Sequence, residues 1–445
     1  MNKNKDYLIT EKPSRALFAF ALPMIIGNLF QQAYTIVDSA IVGHYVGETA
    51  LAAVGASYAL TSIFICVAIG GGIGASVIIS QHFGGHAYSR MKTSIRTAML
   101  SFLLISLLLG GIGLCFSRQI MEALNTPADA MDIAVIYLNI YFYGLPFLFM
   151  YNILSSMFNA LGESRIPLYL LIFSSVLNIF LDLYMVATLH LGVAGAAYAT
   201  FIAQGISAVC SFLIFLHTLR RLDGKAETWF SKAEFSSMSR IALPSILQQS
   251  TVSIGMMLVQ SVVNGFGTQI LAGFSAGMRI ESLCVVPMAA IGNALSSYTA
   301  QNIGAEKHER ISLGYRTANI MVAITAIILC LFLELLHRPL IALFLDGAPS
   351  AQTVATGEGY LRFIGFFFCM IGFKMAVDGI LRGAGAVKVF TIANLVNLGL
   401  RVLIAKLGAP VYGIAMIWYA VPLGWLANFL ISYGYYRTGK WKQIK

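Results

Sequence analysis

Asp38 and Asp182 stand inside long apolar runs with no basic residue near them in sequence. A carboxylate at bilayer depth costs about 2.5 to 3.5 kcal/mol, so each such residue is a functional candidate by default. Gln31, Tyr34 and Asp38 are spaced i, i+3, i+7, which puts an amide, a phenol and a carboxylate on one helix face. Asn178 and Asp182, at i, i+4, share a face of a later helix. The next connection turns near Leu191, so Asp182 and Thr200 each lie nine residues from it, at the same depth of two antiparallel helices. At 1.5 Å per residue that depth is about 13 Å, close to the midplane of a core about 30 Å thick. Two carboxylates, an amide and a hydroxyl can thus converge in the outer part of the N-terminal half. Unpaired acids in low dielectric share a proton, or share a cation with neutral oxygens, and either chemistry binds a monovalent ion. The competing reading, two acids that merely hydrogen-bond helices together, gains under about 1 kcal/mol and is a poor return on burying them.

In the C-terminal half, Lys374, Asp378 and Arg382 follow at i, i+4, i+8. A helix salt-bridge ladder is the favoured reading, with Asp378 kept as a candidate cavity residue. Arg279 and Glu281 are equally compatible with structure or function, Arg401 is expected to snorkel outward, and Glu334 to reach headgroups. Gly70 to Gly74 is no nucleotide loop, since no strand precedes it and no Lys-Ser/Thr follows. His82 and His86 straddle Gly84 and Gly85 in a loop, which makes a metal pair a poor reading. The six cysteines fall singly in six apolar stretches, without a CxxC or disulfide framework. No nucleophile and base constellation is readable, so an enzyme is not expected.

Such residues need a membrane bundle to position them. Of 445 residues, 58% are hydrophobic and 11% charged, against about 25% charged in a soluble protein, and mean hydropathy is +0.78. Apolar stretches long enough to span lie at about 16-37, 50-80, 97-116, 133-158, 166-187, 191-216, 241-263, 270-300, 317-336, 359-381, 389-405 and 411-435. The first, although preceded by Lys3, Lys5, Lys12 and Arg15, has no small-residue cleavage site and reads as a retained helix. The tails and the even-numbered gaps hold 22 of the 29 Lys and Arg, Lys445 included, so both termini are expected in the cytoplasm. This asymmetry accounts for the net charge of +10 without nucleic acid.

Residues 81-98 align with 301-318 with six identities in eighteen, an offset of 220, and Gly47, Leu51 and Ala52 match Gly267, Leu271 and Ala272. Ala21-Leu22-Pro23 matches Ala242-Leu243-Pro244 at 221. Six helices per repeat give both halves one orientation, with an axis along the membrane normal. The expectation is an all-α membrane protein of twelve transmembrane helices in two pseudo-symmetric six-helix lobes, 1-220 and 241-445, joined by a cytoplasmic linker over 221-240. Pro23 and Pro244, at equivalent positions inside spans, are the expected bending points.

The chain resembles the multidrug and toxic compound extrusion (MATE) transporters over nearly its whole length. The resemblance rests on Leu22-Pro23, on Val37-Asp38 followed by Val42-Gly43, on Gly84 closing the second helix, and on the run from Leu161 to Pro167. It implies export of drug-like compounds driven by inward H+ or Na+ flow through a V-shaped cavity of alternating access. Asp38, Asn178, Asp182 and Thr200 match in type and spacing the N-lobe cation site of the DinF-like branch, and Gln31 and Tyr34 resemble its cavity residues. The NorM-like branch adds a Glu about eight residues past the seventh-helix Pro, where Val252 stands here. Asp378 fits that branch's tenth-helix Asp, with Lys374 in place of the usual aromatic.

The leading expectation is a secondary antiporter in the plasma membrane, exporting amphiphilic, often cationic compounds, with H+ preferred over Na+. It would act as a monomer, with the bilayer and drug-like molecules as partners, and with neither cofactor nor bound metal other than Na+ at the four N-lobe residues. A lipid-linked saccharide flippase is the main alternative. It should carry several Arg or Lys in its cavity for pyrophosphate, and the N-terminal half has none at mid-span. An intramembrane enzyme and a channel stand behind it.

Overall fold

A computed structural model describes residues 6–46, 48–124, 126–345 and 349–443, and among them no strand occurs. Lys3, Lys5, Gly47 and Lys445, used above, lie outside the described residues. A short helix α1 (Tyr7–Thr10) precedes α2 (Pro13–Val46), α3 (Glu48–Gly84), α4 (Tyr88–Ala123), α5 (Ala128–Ala160), α6 (Arg165–Asp182) and α7 (Gly192–Arg220). The second half has α8 (Lys232–Asn264), α9 (Thr268–Gly304), α10 (His308–Ala342), α11 (Ala351–Gly365), α12 (Phe368–Gly383), α13 (Val387–Tyr412) and α14 (Ala415–Arg437). Eleven of these are long and apolar enough to cross a bilayer, and α11 with α12, bent by 52° across residues 366–367, supplies the twelfth span. The repeat is visible in the lengths, since α3 and α9 each run for 37 residues.

By packing, the chain divides into one unit, Ile26–Ile246, and a second made of Met1–Ile25 with Leu247–Lys445. Compared with the expected limits of 220 and 241, the linker and the start of α8 join the N-terminal unit, while the chain before Ile26 joins the C-terminal one. Each division falls two residues past a proline, Pro23 in α2 and Pro244 in α8. Proline inside a helix removes a backbone bond, which is where a helix can change direction most cheaply.

The polar ends of the helices hold these exchanged segments. In the N-terminal unit, Lys92 Nζ donates to Leu222 O at 2.6 Å and Gly224 O at 2.8 Å. Thr93 and Thr97, one turn apart, accept from the backbone N–H groups of Glu227 and Ser231, each at 3.0 Å. Glu234 is bound by His82 at 3.0 Å and by Ser94 at 2.7 Å. In the C-terminal unit, Asn302 Nδ2 donates to Leu8 O at 3.1 Å and Lys307 Nζ to Ile9 O at 3.0 Å. The Gly70 to Gly74 run has a packing role within the first unit. A Cβ on Gly74 would lie 2.6 Å from Met238 O and 2.7 Å from Ala242 N, so glycine lets α3 and α8 touch backbone to backbone.

Candidate cation-coupling site

The helices of the first unit bring Asp38, Tyr34, Asn178, Asp182 and Thr200 together. Tyr34 and Asp38, four apart on α2, present a phenol and a carboxyl on one face. Asp182 closes α6, where the backbone ladder widens into a single π-helical stretch, Leu183–Thr188. Such stretches concentrate at functional sites because they free backbone groups and re-aim side chains. The chain then reverses through His190 (φ 52°) and Gly192 (φ 57°), a pair of left-handed residues that starts α7 abruptly enough to set Thr200 beside α6.

Asn178 and Asp182 are buried, at 2% and 0% exposure. The Asn178 amide orientation is assigned from its neighbours, because its oxygen turned toward Asp182 would oppose a carboxylate oxygen. Its Nδ2 donates to Asp182 Oδ2 at 2.9 Å and to the Tyr34 hydroxyl at 2.6 Å, and its carbonyl accepts from Thr200 N–H at 3.0 Å. The Tyr34 hydroxyl is also within hydrogen-bond reach of Thr200. The Asp38 and Asp182 carboxyls lie near enough to act on each other, one oxygen of each is buried without a hydrogen-bond partner, and among the described residues no basic side chain pairs with either. Two neighbouring acids without a cation beside them are suited to share one proton or one monovalent cation.

Gln31, one turn earlier, is exposed and makes no side-chain hydrogen bond among the described residues. Tyr137 on α5 was not anticipated from the sequence. It lies close enough to Asp38 and Asp182 for their charges to act on its phenol, and Tyr141, one turn on, follows it and donates to Thr61 O at 3.3 Å. The signal available in the sequence was two phenols spaced i, i+4 within one apolar span.

Asp378 belongs to the second unit. It is buried, with Lys374 Nζ at 2.9 Å from Oδ2 and the Ser432 hydroxyl donating to Oδ1 at 2.8 Å. Lys374 also donates to Asn394 Oδ1 at 3.1 Å. Arg382 does not complete the expected ladder: it turns to α9, donating to Asn293 Oδ1 at 2.7 Å and Ser296 Oγ at 3.3 Å. Arg401 departs from expectation, since it lies beside buried Glu281 rather than reaching outward, and Tyr360 donates to the same Glu281 carboxylate. Glu334 is bound by Arg362 Nε at 3.1 Å. Among the described residues no group of three or more His, Cys, Asp or Glu could hold a metal ion.

The MatE family model matches residues 23–184 and 244–407, one stretch in each half of the repeat. The chain is 31% identical over 434 residues to the Probable multidrug resistance protein YpnP of Bacillus subtilis (strain 168), covering 97% of this chain and 96% of that one. It is 26% identical to the Probable multidrug resistance protein YoeA of the same organism, over 100% and 99% of the two chains. The fold superposes with a TM-score of 0.90 on a multidrug resistance MATE family transporter of the MOP superfamily solved in an outward-facing conformation, at 23% identity and 99% coverage of both chains. With both halves of the repeat matched and the twelve-span architecture in place, the chain belongs to the MATE family of transporters.

Proposed function

We propose that this protein is a proton-coupled antiporter that exports amphiphilic, often cationic, organic compounds from the cytoplasm. It sits in the plasma membrane with both termini inside and acts as a monomer, without cofactor, metal or nucleic acid. The coupling site is Asp38 and Asp182, oriented by Asn178, Thr200 and Tyr34, with Gln31 further along the same face of α2 toward the substrate. Asp378 serves structure. The observation that carries this reading is the approach of the two acids to each other with no basic side chain beside either among the described residues. A proton entering from outside is shared by the pair and removes the repulsion between them, and its departure inward leaves two repelling charges that favour the other conformation, so binding and release differ between states as coupling requires. The absence of a basic partner for either acid among the described residues supports H+ over Na+, since no fixed positive charge holds the carboxyls ionised. The relatives named as multidrug resistance proteins support the substrate class.

Asp38→Asn and Asp182→Asn test the site. Each should abolish efflux of a cationic dye from energised cells while leaving the protein at wild-type abundance in the membrane, since losing an unpaired buried charge relieves burial cost. Wild-type efflux by either variant at equal abundance would reject the assignment.

A further inference from the structure

Apart from the coupling site, the first unit holds a cavity of about 730 Å3 between α4, α5 and α7. Its two ends differ in chemistry. Lys92, Arg96, Arg220 and Trp229 line the end at the basic loops, and Met99, Leu103, Phe147, Val209 and Phe212 line the remainder. Lys92 is engaged with the linker carbonyls, and Asp223 is the acid near enough to act on it. Arg96 and Arg220 have no carboxylate within ion-pair distance among the described residues, and both are exposed. The linker, fastened by Lys92, Thr93 and Thr97, fixes Trp229 so that its ring lies 4.7 Å from the Arg96 guanidinium carbon. Trp229 is 78% exposed and Val209 51%, so the groove is open along its side.

We infer that this groove is a site for an anionic phospholipid of the cytoplasmic leaflet. Arg96 and Arg220 hold the phosphate-bearing headgroup, Trp229 caps it at interfacial depth, and one acyl chain follows the apolar wall along Val209 and Phe212. Exposed tryptophan belongs at the headgroup level, and uncompensated arginine forks favour phosphate geometry. Basic pockets between transmembrane helices on the cytoplasmic side suit anionic headgroups. The repeat supplies an independent support. Residues 92, 95, 96 and 99 correspond at an offset of 220 to Ser312, Tyr315, Arg316 and Asn319, and these line a cavity of about 540 Å3 in the second unit together with Arg437. A basic groove at the same place in both halves, with arginine retained at the same repeat position, fits a ligand that surrounds both halves, as membrane lipid does.

The test is native mass spectrometry of the full-length protein in mild detergent, with phosphatidylglycerol and phosphatidylcholine of matched chains. An Arg316→Gln/Arg437→Gln background removes the charge from the corresponding cavity and isolates this groove. In that background phosphatidylglycerol should be retained over phosphatidylcholine. Adding Arg96→Gln and Arg220→Gln should weaken its binding about 30-fold, the effect of two basic contacts of about 1 kcal/mol each. Val209→Trp, which keeps both charges but fills the chain path, should weaken it as well. Unchanged phosphatidylglycerol binding in both the charge and the Val209 variants would overturn the assignment. Equal retention of the two lipids before the charges are removed would do the same. Displacement by glycerol 1-phosphate at the lipid's own concentration would also overturn it, assigning a free-phosphate site instead.

Discussion

Asp38, Asp182 and Asp378 differ in their neighbours, and those neighbours predict how each responds to substitution. Asp38 and Asp182 face each other without a cation, whereas Asp378 has Lys374 at 2.9 Å inside the second unit. Breaking a buried pair by removing one member strands the other charge, at about 3 kcal/mol or more. Asp378→Asn should therefore lower melting temperature and yield, and adding Lys374→Met should recover most of the loss. A stable Asp378→Asn protein that binds substrate and fails to transport would move Asp378 from structure to mechanism. Much of the candidate site was legible at this scale. Spacing alone put Tyr34 with Asp38 and Asn178 with Asp182, and counting from the turn near Leu191 matched the depth of Thr200. Tyr137 and the inward turn of Arg401 were not legible, because each depends on which neighbouring helix supplies a partner, and a local period carries no such information.

The helices run well beyond their apolar cores. The α4 helix starts at Tyr88, whereas its apolar stretch starts near 97, and the added turns carry Lys92, Thr93 and Ser94, which grip the linker and Glu234. Hydropathy finds what lipid touches, and polar extensions that bind chain are silent to it. The break at residues 366–367 was hidden for a related reason, since the apolar run continues through it. Close approach of α3 and α8 gives the prediction for this scale. Gly74→Val would drive its side chain into Met238 O and Ala242 N, and should destabilise the purified protein by about 1 to 3 kcal/mol, read as a lower melting temperature. Gly111→Ala on α4, with nothing within 4 Å of the added carbon, should leave the melting temperature unchanged or slightly higher. Equal melting of Gly74→Val and wild type would remove the packing role assigned to the glycine run.

For the whole molecule, the repeat at an offset of 220 gave the two-half plan directly, but not the exchange of segments at Ile25/Ile26 and Ile246/Leu247. That exchange is long-range packing, visible only once Asn302 is seen holding Leu8 and Lys92 holding Leu222. The charge asymmetry makes a topological prediction. A cysteine at Lys232 should react with an impermeant thiol reagent only in opened cells, and one at exposed Asp132 in intact cells. Labelling of the Lys232 variant in intact cells would reverse the orientation. The most direct test of proton coupling uses purified protein in liposomes free of Na+, with a pH gradient imposed across the membrane and dye transport recorded. The gradient should drive dye against its own concentration difference, and Asp182→Asn should abolish both that accumulation and the coupled proton flux. Transport that ignores the pH gradient and begins only when Na+ is added would contradict a shared proton between Asp38 and Asp182.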